Sequence, residues 1–248
     1  MKMDEFYIKS SLDGTFQPSI FFKANGEEKR PVLVGLHTWS HDRFNQVENM
    51  LPFAEKNNFN LLLPEFRGPN SFSNPERKKA CGSKYAIQDV IDAIDYVVAN
   101  ENVDGDNVFA LGASGGGMMA LLLAGTNPER FKAIGAFVPV CDLVDWQQYG
   151  FRETIMACCY DDEDMASRSP VTYVEGIAKS NTKIFHGKYD PFISKRQSIE
   201  LYEKIMEINP DARVYIDIFD GGHELDMFVA GHWILQQYNK KRNVKVTT

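Results

Sequence analysis

The chain has 248 residues, 44% of them hydrophobic and 25% charged, which are the fractions of a globular protein rather than a disordered one. Its 27 basic and 34 acidic residues give a formal net charge of −7. That balance disfavours nucleic acid or an anionic membrane as the main partner, because both select a basic surface. No run approaches the roughly 20 apolar residues of a membrane span. The N-terminal residues also lack a secretory apolar stretch, so we expect a cytoplasmic protein.

Two short strands are predicted first, at Phe6–Lys9 and Ser19–Lys23, with turn residues between them. From residue 31 onwards, continuous apolar runs alternate with amphipathic segments. Strands that are apolar on both faces belong in a parallel sheet that helices cover. The strands predicted in this part are Pro31–Leu36, Asn60–Pro64, Asn107–Leu111, Ala133–Val140, Thr182–His186 and Val214–Phe219.

Helices are predicted between these strands, where apolar residues recur with the spacing of one helical face. They are Ala86–Asn100, Met118–Ala124, Ser194–Ile208 and Glu224–Tyr238. The alternation predicts an α/β protein with a doubly wound, mostly parallel sheet and helices on both faces. No linker or repeat divides the chain, so we expect residues 1–248 to form a single domain. The stretch 141–180 is longer than a simple crossover and is expected to form a small helical cap.

The pentapeptide Gly112–Gly116 reads G-x-S-x-G, and it lies between a predicted strand and a predicted helix. This setting is typical of a nucleophile elbow, in which a sharp turn exposes the serine hydroxyl above the sheet. Ser114 is therefore the candidate nucleophile, and the backbone N–H of Gly115 is a candidate oxyanion donor. The alternative is a glycine-rich turn that merely packs a helix on a sheet.

A serine nucleophile needs a base, and the base needs a carboxylate to orient it. His223 follows the last predicted strand, at the sheet edge where α/β proteins bind ligands. Asp190 follows the strand Thr182–His186 and is the candidate acid. The alternatives are a solvated turn histidine and a turn-initiating aspartate before Pro191.

Two further groups of residues complete the candidate site. The loop His37–Ser40 follows the strand Pro31–Leu36 and would supply the second oxyanion donor. In the predicted cap, Trp146, Tyr149 and Phe151 are candidates for lining a substrate pocket, with core packing as the equal alternative. The four cysteines have no paired C-x-x-C spacing, so no metal site is expected.

Several segments occur in the order seen in α/β-hydrolases. They are Gly35–Trp39, Pro64–Gly68, Gln88–Ala93, Gly112–Gly116, His186–Asp190 and Gly221–His223. The set most resembles the catalytic domain of prolyl-oligopeptidase-type enzymes and the small esterases related to them, over about residues 30–240.

The resemblance implies the α/β-hydrolase fold and a triad of Ser114, Asp190 and His223 in that chain order. It also implies an acyl-enzyme mechanism without a cofactor, and Trp39 as the second oxyanion donor. Thr38 departs from the pattern, because the small esterases usually carry glycine there. The 248 residues also leave no room for the large N-terminal propeller of the oligopeptidases.

The expected function is that of a serine hydrolase of the carboxylesterase type, acting on small-molecule esters with small or medium acyl groups. The alternative is a serine peptidase or aminoacyl amidase on the same triad. We place it second because the sequence shows no acidic residue placed to bind a substrate α-amine. A third interpretation is a non-catalytic hydrolase-fold binding protein, against which the intact triad argues.

Overall fold

The computed structural model describes residues 1–240, and the structural statements below refer to that part of the chain. Its strands are β1 (Lys2–Lys9), β2 (Phe16–Lys23), β3 (Arg30–Leu36), β4 (Asn60–Pro64), β5 (Val103–Ala113), β6 (Ala133–Phe137), β7 (Thr182–Gly187) and β8 (Val214–Phe219). They form one sheet in the order β1-β2-β4-β3-β5-β6-β7-β8. β1 and β2 pair antiparallel, as do β2 and β4, while every pair from β4 across to β8 is parallel.

The longer helices are α1 (Val47–Asn57), α2 (Lys84–Asn100), α3 (Gly115–Thr126), α8 (Lys195–Ile208) and α9 (Met227–Asn239). Four short helices lie between β6 and β7, namely α4 (Leu143–Trp146), α5 (Arg152–Met156), α6 (Asp162–Ser167) and α7 (Val174–Ile177). They occupy the stretch 141–180 where a helical cap is predicted. No helix within residues 1–240 is long and apolar enough to cross a membrane.

The sheet separates two hydrophobic clusters, so helices cover both of its faces. One cluster includes side chains of α2, α3, α8 and the short helices, and the other includes side chains of α1 and α9. β4 and β6 are buried along their whole length, as central parallel strands should be. The prediction of a mostly parallel sheet with helices on both faces is confirmed.

Some element boundaries in the structure differ from those predicted from the sequence, each for an identifiable reason. Strand β6 ends at Phe137 rather than Val140, because Val138 has a φ of +40° that no strand accommodates. Helix α9 begins at Met227 rather than Glu224, because the Asp226 side chain caps it by accepting the N–H groups of the next turn. Helix α1 was not predicted, since Pro52 lies inside it.

A buried ion pair ties β4 to α2. Arg67, which follows β4, donates from Nε to Asp89 Oδ2 over 2.5 Å, and both side chains are almost fully buried. Asp13 Oδ2 accepts a further hydrogen bond from Arg67 over 2.9 Å. Burial raises the pKa of Asp89, and the neighbouring guanidinium opposes that rise. The pair thereby fixes the chain between β4 and α2, which borders the loops at the carboxyl edge of the sheet.

We expect Asp89→Asn to lower the free energy of unfolding by about 3 kcal/mol, because it removes the buried carboxylate from Arg67 and leaves that charge with Asp13 and the more distant Glu76. Asp95 of the same helix pairs with Arg130 at the surface, so Asp95→Asn should cost less than about 1 kcal/mol. Urea denaturation of both variants measures the difference. Equal costs would show that the buried pair does not stabilise the fold.

Candidate active site

Ser114 lies at the turn between β5 and α3, with φ 56° and ψ −119°. This is a strained backbone conformation for a residue with a side chain. Two backbone hydrogen bonds hold it: Ser114 N donates to Phe137 O over 2.9 Å, and Met118 N donates to Ser114 O over 2.9 Å. The geometry is that of a nucleophile elbow, as the G-x-S-x-G sequence predicts.

Two glycines of the motif are required by close backbone contacts. A Cβ on Gly112 would lie 2.4 Å from Gly116 O, and a Cβ on Gly116 would lie 2.4 Å from Leu36 O. Real Cβ atoms essentially never come closer than 3.0 Å to such atoms. Strand, turn and helix therefore pack too closely at Ser114 to accept larger residues at these positions.

Asp190 and His223 are joined by a hydrogen bond. His223 Nδ1 donates to Asp190 Oδ2 over 2.7 Å, and the two side chains are 20% and 1% exposed. With Nδ1 protonated, the other ring nitrogen of His223 carries a lone pair that can accept a proton. Ser114 Oγ makes no hydrogen bond to a side chain within residues 1–240. In catalytic sites without substrate, the hydrogen bond between nucleophile and base is often long or unformed.

The loops that carry Asp190 and His223 are attached to each other through their backbones. Tyr189 N donates to Gly221 O, and Lys188 N donates to Phe219 O, each over 2.9 Å. A Cβ on Gly187 would lie 2.0 Å from Gly222 O, so the loops touch directly after β7 and β8. Since these strands are parallel neighbours, their carboxyl ends bring the acid and the base together.

Hydrogen bonds hold Asp190 in its ionised form. Burial raises the pKa of its carboxyl group, but hydrogen bonds from His186, His223, Ile193 N and Phe192 N outweigh burial and hold the pKa well below its usual range. The two backbone N–H groups donate to Oδ1 over 2.8 and 3.0 Å. Asp190 is therefore a fixed negative charge beneath His223.

His186 is a neighbour of Asp190 that the sequence did not single out. Its Nε2 lies 3.0 Å from Ile193 O and 3.4 Å from Asp190 Oδ2, and its Nδ1 lies 2.8 Å from Ser198 Oγ. A neutral ring with hydrogen on Nε2 satisfies all three contacts. Its position at the end of β7, four residues before Asp190, does not by itself indicate this contact.

The two predicted oxyanion donors lie side by side. A Cβ on Gly115 would lie 2.8 Å from Trp39 N. Gly115 is the first residue of α3, so its N–H has no acceptor within the helix. Thr38 N already donates to Asn45 Oδ1 over 3.0 Å, whereas Trp39 N–H has no acceptor in the described part of the chain. The geometry therefore favours Trp39 over Thr38 as the second donor.

The three aromatic residues proposed for a pocket lie in the helical segment 141–180, near Asp190 and Phe192. Tyr149 and Phe151 line a cavity of about 400 Å³ together with Asp190 and Phe192. Trp146 is buried behind them, with its ring stacked on Phe151 at a centroid distance of 4.4 Å. Two of the three predicted residues thus line the cavity, and the third supports its wall.

Phe192 links this cavity to the triad. Its ring meets the His223 ring edge-on at a centroid distance of 5.2 Å, and its carbonyl accepts the Trp146 indole N–H over 3.0 Å. Trp146 also meets the Trp39 ring at 5.1 Å. Nothing in the sequence distinguished Phe192 from the other exposed aromatics.

Within residues 1–240, no group of three or more His, Cys, Asp or Glu side chains is arranged to hold a metal ion. The candidate site combines a half-buried serine at a strained turn, a histidine hydrogen-bonded to a carboxylate and two adjacent backbone N–H groups.

Residues 46–245 match the sequence profile of the prolyl oligopeptidase family. The chain belongs to this family of serine hydrolases. The resemblance seen in the sequence motifs is thereby confirmed, and the match includes all three predicted triad residues.

The curated relatives of the chain include acylamino-acid-releasing enzymes and a feruloyl esterase. Acylamino-acid-releasing enzyme 2 of Oryza sativa subsp. japonica is 28% identical over 172 residues, which are 64% of this chain and 22% of that protein. The acylamino-acid-releasing enzyme of Rattus norvegicus is 25% identical over 222 residues, which are 82% of this chain and 30% of that protein. The chain thus spans less than a third of the length of either relative.

Solved structures similar to the chain include peptidases and esterases. An acylaminoacyl peptidase in complex with Z-Gly-Gly-Phe-chloromethyl ketone superposes with a TM-score of 0.75 at 19% identity, covering 97% of this chain and 41% of its own. An esterase of Pyrococcus furiosus gives a TM-score of 0.70 at 16% identity, covering 95% of this chain and 90% of its own. At these identities, the likeness confirms the α/β-hydrolase fold alone.

The Asp190 hydrogen bonds generate a prediction for catalysis. We expect Asp190→Asn to lower kcat by about 10⁴-fold, as the equivalent change does in a serine protease, because the amide favours the wrong His223 tautomer. Asp226→Asn should stay within about tenfold, because Asp226 only caps α9. Steady-state kinetics on an activated ester compares them. A larger loss of kcat in Asp226→Asn than in Asp190→Asn would show that Asp190 is not the carboxylate that orients His223.

Proposed function

We propose that this chain is a serine peptidase or aminoacyl amidase that cleaves N-acylated aminoacyl amides through an acyl-enzyme. The observation that carries the proposal is the His223–Asp190 hydrogen bond, at the carboxyl edge of the sheet where the half-buried Ser114 lies at its elbow. Family membership and the acylamino-acid-releasing relatives support the choice of substrate class.

In the proposed acylation step, Ser114 Oγ attacks the carbonyl carbon of the substrate while His223 takes the hydroxyl proton. The carbonyl oxygen becomes an anion, and the N–H groups of Gly115 and Trp39 stabilise it. Asp190 stabilises the imidazolium that forms. His223 then gives its proton to the leaving amine, and the carbon–nitrogen bond breaks.

In the proposed deacylation step, water attacks the acyl-enzyme while His223 accepts its proton. A second tetrahedral oxyanion forms, and the same two backbone N–H groups stabilise it. Its collapse returns the proton from His223 to Ser114 Oγ and releases the carboxylic acid. The cycle needs no group beyond the side chains and backbone donors described above.

The choice of amide over ester depends on the state of the substrate's amine. The sequence placed esters first because no acidic residue was identified to bind a free α-amine. An N-acylated amino acid has no charged amine, so such a residue is not required. With that objection removed, the relatives favour the amidase interpretation over the carboxylesterase.

A carboxylesterase acting on small acyl groups remains the second candidate, and the openness of the site favours it. Tyr149 and Phe192 are each 53% exposed beside the triad, so the described part of the cap does not enclose the site. An open site accepts small esters readily. Burial contributes roughly 0.8 kcal/mol per CH₂, and here it would give little gain for long acyl chains.

The deciding experiment compares kcat/KM for N-acetyl-alanyl 4-nitroanilide, alanyl 4-nitroanilide and 4-nitrophenyl acetate, butyrate and octanoate. We expect the acetylated anilide to exceed the free-amine anilide by at least about tenfold, the effect of about 1.4 kcal/mol of lost binding. Among the esters, we expect acetyl and butyryl to exceed octanoyl. Ser114→Ala should abolish turnover of all five substrates.

The outcome that would contradict the amidase proposal is ester hydrolysis with neither anilide cleaved, which would assign the carboxylesterase function. Turnover that persisted in Ser114→Ala would contradict both candidates, because both use the same nucleophile.

A further inference from the structure

The cavity of about 400 Å³ beside Asp190 has two cationic side chains at its edge. Lys188 and Lys195 line it together with Tyr149, Phe151 and Phe192. Its size lies within the range of small-molecule sites. An aromatic wall with two positive charges is suited to an organic anion rather than to a neutral acyl chain.

Both lysines are without a carboxylate partner in residues 1–240. Lys195 Nζ donates to the backbone oxygen of Lys188 over 3.2 Å, and Lys188 Nζ lies 5.1 Å from the centre of the Tyr189 ring. An ammonium group has three donors, so each lysine keeps donors for a ligand. These are the cations of the cavity that the fold has not neutralised.

Asp190, the carboxylate among the residues that line the cavity, is already engaged, and so are two carboxylates around Arg196. Asp190 accepts hydrogen bonds from His223 and from two backbone N–H groups. Asp145 and Glu200 both accept from Arg196, which lies on the first turn of α8. The accessible charge of the cavity is therefore positive, although the whole chain carries −7.

The N-terminus of α8 adds to this positive field. Ser194 caps this helix of 14 residues, Lys195 is its first residue, and both line the cavity. The first N–H groups of a helix carry a partial positive charge that favours anions. Lysines and helix end thus act in the same direction at one wall.

We propose that this cavity binds a carboxylate on the acyl part of the substrate, so that the hydrolase prefers acyl groups of the glutamyl or dicarboxylic type. The proposal rests on the function proposed above and names the substrate class of the same site. Lys188 and Lys195 act as specificity-determining residues, and Phe151 and Phe192 contact the methylene groups.

The residues that support the cavity wall indicate that the cavity receives the acyl part of the substrate rather than the leaving group. Phe151 stacks on Trp146, and Trp146 meets the ring of Trp39, whose N–H is the proposed oxyanion donor. The wall therefore extends from the point where the substrate carbonyl would lie. An acyl group is attached directly to that carbonyl carbon, which brings its side chain toward the lysines.

The test uses two substrates of the same shape and different charge, N-acetyl-glutamyl and N-acetyl-glutaminyl 4-nitroanilide. We expect kcat/KM to favour the glutamyl substrate by about tenfold in the wild type, as two partly exposed ion pairs would provide. The preference should shrink as ionic strength rises. In Lys188→Gln/Lys195→Gln, the ratio should fall to about one.

The matched control is Lys29→Gln/Lys204→Gln, which removes the same charge. Lys29 precedes the amino-terminal end of β3, whereas the candidate site lies at the carboxyl ends of the strands, and Lys204 lies about 14 Å along α8 from Lys195. This control should keep the wild-type ratio. The 4-nitrophenyl monoester of glutaric acid and its terminal amide give the same comparison for ester chemistry.

A wild-type ratio near one, with both anilides or both esters cleaved, would overturn the carboxylate preference and leave the proposed function standing. A preference that survived in Lys188→Gln/Lys195→Gln would also overturn it. So would a lysine-dependent preference for a carboxylate placed on the anilide ring instead, because the cavity would then bind the leaving group. No turnover of any substrate, together with no labelling of Ser114 by a fluorophosphonate probe, would overturn the proposed function as well.

Discussion

The Asp190 carboxylate is the constraint on which the rest of the site depends. One of its oxygens accepts two backbone N–H groups, and the other faces His223 at 2.7 Å and His186 at 3.4 Å. These contacts fix the charge, the loop after β7 and the ring of His223 together. The same loop turns Phe192 against His223 and carries the lysines to the cavity. The orientation of His223 and the proposed selection of substrate thus both depend on one buried anion.

Asp190 and His223 could be placed together from the sequence because they follow neighbouring strands of one parallel sheet. Parallel strands end at a common edge, so residues such as Ser114, Asp190 and His223 can be placed together without knowing any side-chain contact. Trp39 could not be separated from Thr38 by residue chemistry. The distinction depends on Asn45, whose side chain occupies the Thr38 N–H from seven residues away.

Other features depend on tertiary contacts that no local pattern records. His186 has the sequence position of an ordinary strand residue, and only the folded loop brings its Nε2 toward Asp190. Helix α1 contains Pro52, which local propensity counts against a helix, but packing of Met50 and Ala54 stabilises it. The substrate class also depends on tertiary contacts, because the same triad can act on esters and on amides. The residues that line the neighbouring cavity decide between them.

The central claim is that Asp190 holds a proton on His223 Nδ1, and proton NMR of the free protein tests it most directly. The account predicts an imidazole N–H resonance well downfield of the backbone amides. It should persist in Ser114→Ala and disappear in His223→Gln and Asp190→Asn. Absence of such a resonance in the wild type would contradict the account. So would its survival in His223→Gln, because the proton would then belong to another group such as His186.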